Sequence, residues 1–159
     1  MTVDSLCVTS WRARPVSFVS LMTLYESNYI RLRGLVGDAR RLAGRVVSCV
    51  PGDLDLHVEA LEHSRYTTIL RLTYVFDDAG SAVADPDLEV RVYHDARLAE
   101  ASRCARWMRH PGLAGLQAGL PAALGDRWLR NMLLNKWLDY CAERGHRIEA
   151  TAGGAACQP

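Results

Sequence analysis

Residues 66–76 alternate on a two-residue period, with Thr68, Leu70, Leu72, Tyr74 and Phe76 on one side and Thr67, Ile69, Arg71, Thr73 and Val75 on the other. Successive side chains of an extended chain point to opposite faces, so this run predicts a strand. Its β-branched and aromatic content suits the centre of a sheet. Two neighbouring runs share the pattern. In residues 54–60, Leu54, Leu56, Val58 and Ala60 alternate with Asp55, His57 and Glu59. In residues 88–98, Leu88, Val90, Val92, His94, Ala96 and Leu98 alternate with Glu89, Arg91, Tyr93, Asp95 and Arg97. A turn is expected near His63 and Ser64, and residues 77–86 read as a loop by composition. Strands of this length with no helix between them predict an antiparallel meander with one apolar and one charged face.

Helical spacing brackets the meander. Phe18, Leu21, Met22, Tyr25, Tyr29, Leu32 and Val36 recur at three- and four-residue steps, which predicts a helix over 17–36 with Ser17 as its cap and Gly37 as its stop. Residues 38–44 add at most a helical turn, and Val46, Val47 and Val50 suggest a short extended piece closed by Pro51 and Gly52. Asp126 is placed to cap a last helix, whose apolar surface is Leu129, Met132, Leu133, Leu134, Trp137, Leu138 and Cys141, with Gly145 as the stop. Between them, residues 99–125 read mostly as loop: Trp107 and Met108 fit either a fourth strand or a helix start, and Gly112, Gly115, Gly119 and Pro121 interrupt any period.

The expected fold is therefore α+β, an antiparallel sheet of three to five strands with the N-terminal and C-terminal helices on its Leu54, Leu70, Val90 and Val92 side. One domain over 17–149 is expected, flanked by a flexible extension (1–16) and a flexible tail (150–159). The 49% apolar and 23% charged content is that of an ordinary globular chain. Apolar runs such as 132–134 fall far short of the roughly 20 residues of a membrane span, and no signal-type segment opens the chain, so the expected location is the cytoplasm. Five widely spaced cysteines without a C-x-x-C pair predict buried free thiols, not disulfides. A net charge of +1 gives no overall field for nucleic acid.

Three stretches carry a resemblance: LMTLYESNYIRLRGLV at 21–36, SRYTTILRL at 64–72 and EVRVYHDARLAEA at 89–101. Together with LLNKWLDYCAERG in the closing helix, they resemble the bacterial DUF1249 family of YqiB-like proteins. The segment GLAGLQAGLPAALGD departs from that family's pattern, so no role of the family's residues there transfers. The family has no established activity or cofactor, so the resemblance implies an identity without a function.

The densest candidate chemistry is Arg91, Tyr93, His94, Asp95 and Arg97 with Arg65, Tyr66, Thr67 and Thr68 alongside. Alternation puts Arg91, Tyr93, Asp95 and Arg97 on one face and His94 on the other, so His94 and Asp95 are separated and His94 reads as a satisfied core-side histidine before it reads as a general base. The arginine and tyrosine row suits recognition of carboxylate or phosphate. Its bland counterpart is cross-strand pairing with Asp55, Glu59 or Arg71 on a solvated face. Cys104 with His110, and Cys141 with His146, lack the ligand couples of a closed zinc site. No phosphate-binding glycine loop, nucleophile elbow or zinc-protease motif is present.

The expected function is a non-catalytic binding or regulatory module that uses the charged sheet face, with Arg65, Arg71, Arg91, Tyr93, His94, Asp95 and Arg97 as candidate residues and no cofactor or metal. Its expected partner is a protein, a small anionic ligand or a second copy of the chain, and no membrane. One rival is an enzyme or sensor of a phosphorylated or carboxylated ligand, with Arg65, Arg91 and His94 lining a pocket between sheet and helices. The other is nucleic-acid binding through Arg31, Arg33, Arg40, Arg41 and Arg45.

Overall fold

The computed structural model describes residues 17–104 and 122–148. The expected extension and tail, Trp107, Met108 and His110 lie outside them. Strands β1 (Arg45–Ser48), β2 (Leu56–His63), β3 (Thr67–Asp78), β4 (Ser81–Tyr93) and β5 (Leu98–Cys104) form one antiparallel sheet in the order β1-β2-β3-β4-β5. Helices α1 (Phe18–Val36) and α2 (Ala122–Arg144) pack on each other and on one face of it, so the class is α+β.

The strand alternation sets which face the helices cover. Leu56, Val58, Leu70, Leu72, Tyr74, Leu88, Val90, Val92, Ala99 and Ala101 are buried against Leu32, Leu35 and Val36 of α1 and Leu134, Trp137, Leu138 and Cys141 of α2. Each fully buried leucine is worth roughly 1.5–3 kcal/mol, and this layer is the main source of stability. A second cluster of Leu21, Leu24, Tyr25 and Trp128 closes the β5 end of the sandwich.

Ser17 caps α1 as its position implies: its Oγ accepts from the Ser20 N–H at 3.2 Å while Ser20 Oγ accepts from the Ser17 N–H at 2.9 Å. Gly37 ends the helix at φ 68, a conformation that favours a residue without Cβ.

Several expectations are corrected, among them the loop expected from residue 99, where β5 runs to Cys104. Leu54 precedes β2 and is exposed, so it is not part of the core face. Phe18 is 72% exposed, because the buried stripe runs through Leu21, Leu24, Asn28, Leu32 and Leu35 and leaves the first helical residue beyond the sheet. Residues 77–86 are not a loop: β3 and β4 continue through them and reverse over Ala79 and Gly80, both at positive φ (52 and 87), with Asp78 paired to Ser81. Two consecutive positive-φ residues make the primed turn that matches strand twist. The run 88–98 is not one strand, since β4 stops at Tyr93 and the chain turns through 94–97 before β5, with Arg97 at φ 55. The last helix starts at Ala122, ahead of Asp126, because the alanines before it extend the helix through Gly125.

Cys49 is disulfide-bonded, against the expectation of free thiols throughout, while Cys141 keeps its thiol.

Candidate functional site

The outer sheet face, opposite the helices, is organised by register. Arg45 lies opposite Glu59, Glu59 opposite Arg71, Arg71 opposite Glu89 and Glu89 opposite Arg103, so one row of alternating charge crosses all five strands. Opposite charges at directly paired positions favour this register over a one-residue slip.

The firmest pair on this face is diagonal. Arg71 Nε and Nη2 donate to the two carboxylate oxygens of Asp87 at 2.8 and 2.6 Å, and Thr73 Oγ1 donates to Asp87 Oδ1 at 3.0 Å. The Arg71 guanidinium, then burial and the Thr73 hydroxyl, set the balance that holds Asp87 below the ordinary carboxylate range. Toward β1, Arg45 donates to His57 Nδ1 at 3.2 Å from Nε and sits 2.9 Å away through Nη2. The neutral His57 ring therefore carries its proton on Nε2. Burial, and after it the Arg45 charge, lowers the His57 pKa. Toward β5, Tyr93 donates to Glu100 at 2.6 Å, and the Tyr93 oxygen raises the Arg91 pKa.

An open cleft of about 580 Å³ crosses this face, lined by Leu61, Arg71, Asp87, Glu89, Ser102, Arg103 and Cys104 and reaching Arg130 of α2. A smaller hollow of about 190 Å³ adjoins it between Arg45, His57, Thr73 and Ala84.

The expected residues do not all meet. Arg71, Arg91 and Tyr93 share the outer face, while Asp95 and Arg97 are exposed in the β4–β5 turn and do not extend the row. Arg65 is in the β2–β3 turn, its guanidinium 5.1 Å from the centre of the Tyr66 ring. His94 lies at the core side, where its Nε2 is 2.8 Å from Thr68 Oγ1, and Thr68 Oγ1 is 3.1 Å from His63 Nδ1. The hollow beside His94 holds about 10 Å³, room for at most one water and for no ligand. Burial, then the Arg40 charge, lowers the His94 pKa.

Four of the five arginines from 31 to 45 are divided among separate partners. Arg31 pairs with Asp139, Arg40 with Asp38, Arg45 with His57, and Arg33 donates to the Tyr29 hydroxyl.

A buried polar cluster escaped the sequence reading. His146 Nε2 is 3.1 Å from Asp53 Oδ2 and its Nδ1 is 3.1 Å from Ser48 Oγ; Tyr140 donates to Asp53 Oδ1 at 3.2 Å. Ser48, Asp53 and His146 match a serine–histidine–carboxylate relay in order of contact. The serine is only 7% exposed and its Oγ also accepts the Arg147 N–H, so the chain of bonds fastens the end of α2 to β1 and the following loop. Beside it, burial pushes the Cys141 thiol up to about 11, which leaves it protonated and a poor nucleophile. No local signal links residues 48, 53 and 146.

Residues 31–147 match the family model described as "Protein of unknown function (DUF1249)". The chain belongs to the DUF1249 family. It is similar to uncharacterized protein YqiB of Escherichia coli strain K12, with 28% identity over 130 residues that cover 80% of this chain and 90% of the relative. The same figures hold for YqiB of E. coli O6:H1 and of E. coli O157:H7. No solved structure matches the chain. The DUF1249 match takes in the last turns of α1, all five strands and α2, so the outer face and its cleft fall inside the shared region. No helix among the described residues is long and apolar enough to cross a membrane.

Proposed function

We propose that this DUF1249 protein is a non-catalytic binding or regulatory module of the cytoplasm whose working surface is the outer sheet face, with Arg71, Arg91 and Tyr93 at its centre. The observation that supports this reading is the cleft on the same face: about 580 Å³, within the roughly 300–1,000 Å³ of ordinary small-molecule sites, and lined by Arg71, Arg103 and Arg130, with Arg91 and Tyr93 on the face outside its lining. Guanidinium groups fixed on regular elements recognise anions at low entropic cost. The polar groups that resemble catalytic pairs lie elsewhere: His94 faces the helices beside a space for one water, and the Ser48–His146–Asp53 relay is buried.

The test is a thermal-shift screen of anionic metabolites on the wild type, Arg71→Ala and Arg91→Ala. Selective binding to the folded state raises apparent stability by RT ln(1 + [L]/Kd), about 2.7 kcal/mol at a hundredfold excess over Kd. At least one compound should stabilise the wild type and lose that effect in both variants. A screen without a stabiliser, or stabilisers that act equally on the variants, overturns the reading.

A further inference from the structure

The arginines of the cleft are not equivalent. Arg71 spends its fork on Asp87, whereas neither Arg103 nor Arg130 has an ion-pair partner among the described residues. The Arg130 Nε is buried with no hydrogen-bond partner among the described residues. Arg130 also lines the open cleft, so an oxyanion that enters it meets a guanidinium that no carboxylate among the described residues neutralises.

The local charge points the same way. The described lining of the cleft holds Arg71, Arg103 and Arg130 with Asp87 and Glu89, an excess of one positive charge. Asp87 is neutralised by Arg71, and Glu89 Oε1 accepts from Ser102 Oγ at 3.3 Å. Residues 105–121, which join β5 to α2, contain no Asp or Glu, so that connection has no carboxylate to offer. Asp126, one helical turn before Arg130, makes no salt bridge with it.

We infer that Arg103 of β5 and Arg130 of α2 form a site for a small oxyanion, the phosphate or carboxylate group of a free ligand. This assignment rests on the outer-face reading above and gives it a ligand class. Planar guanidinium groups from two elements would hold the oxyanion by charge-assisted hydrogen bonds, the stronger kind in proteins.

Amide chemical shifts followed during titration with sodium phosphate, and separately with sodium succinate, at constant ionic strength test it. Saturable shifts are expected at 102–104 and around 130 with at least one of the two probes. Phosphate alone would identify a phosphoryl ligand, succinate alone a carboxylate, and response to both the shared chemistry. Arg103 is exposed, so Arg103→Ala keeps the fold and should weaken binding by about tenfold or more, as should Arg130→Ala, while Arg33→Ala removes an equal charge on α1 without effect. Shifts that fail to saturate, that scatter over surface arginines, or that persist unchanged in Arg103→Ala overturn the site. If they do so while a stabiliser from the screen still depends on Arg71 and Arg91, the outer-face reading survives and only this inference falls.

Discussion

At the scale of single residues, hydrogen-bond chemistry fixes protonation. His63 Nε2 lies 2.8 Å from the Leu42 carbonyl, which can only accept, so that nitrogen carries the proton. Neutral His63 then accepts at Nδ1 from the Thr68 hydroxyl, and the Thr68 oxygen accepts from His94 Nε2–H. Both rings should be Nε2–H tautomers in long-range nitrogen–proton spectra near neutral pH; an Nδ1–H signal from His94 contradicts the chain of bonds. The depressed folded pKa of His94 also sets a sign. Unfolded His94 binds a proton near pH 6.5 and folded His94 does so only at lower pH, so its contribution is complete above about pH 6.5 and is lost as pH falls toward the folded value. Urea denaturation at stepped pH should show a shallower loss below pH 6.5 in His94→Gln than in the wild type. The inward direction of this ring was legible from alternation with Val92, but the Asp95 and Arg97 directions were not, because a four-residue reversal replaces the last part of the run.

Among elements, the bulge of β5 and the hairpin of β3–β4 matter most. Register shifts between Glu89 and Val90, which frees the Ala101 N–H from a regular ladder partner; Asn131 Oδ1 of α2 accepts it at 2.8 Å. Asn28 Nδ2 donates to Asn131 Oδ1 at 3.3 Å, and Asn135 Nδ2 donates to Asn28 Oδ1 at 3.0 Å. All three asparagines are fully buried, so this ladder fixes the helix pair against β5 where an all-apolar contact would tolerate sliding. In the hairpin, Ala79 occupies left-handed backbone that costs an L-residue about 1–2 kcal/mol and that asparagine tolerates better. Ala79→Asn should therefore raise stability by about 1 kcal/mol in chemical denaturation, and a decrease would show that the turn is not of the primed type. β5 itself was hidden in the sequence: its core contacts are Ala99 and Ala101, too small to mark a strand by periodicity, and Asn131 in α2 supplies what the bulge lacks.

For the whole molecule, the Asp53 cluster ties the segment after α2 to the edge strand β1 and the loop that follows it. Burial alone would raise the Asp53 pKa, yet the Leu54 N–H, His146 and Tyr140 outweigh it and hold the carboxyl below its ordinary value. A depressed carboxylate contributes above the unfolded value of about 3.9, and the contribution disappears as pH falls through the folded one. Asp53→Ala strands the buried His146 and Tyr74 partners and should cost about 3 kcal/mol in urea denaturation at pH 7, with the deficit shrinking below pH 4. A deficit that stays constant into acid would mean that charge plays no part in the latch.

Local patterning encodes the antiparallel sheet, its apolar and charged faces and the ends of α1, because a two-residue or 3.6-residue period and a capping side chain are local properties of the chain. Where the strands reverse, which asparagines meet, and how Arg103 and Arg130 come to share one cleft depended on the tertiary structure. Those contacts join residues far apart in sequence, and the free energy that selects them, burial and hydrogen-bond satisfaction, exists only once the layers have packed.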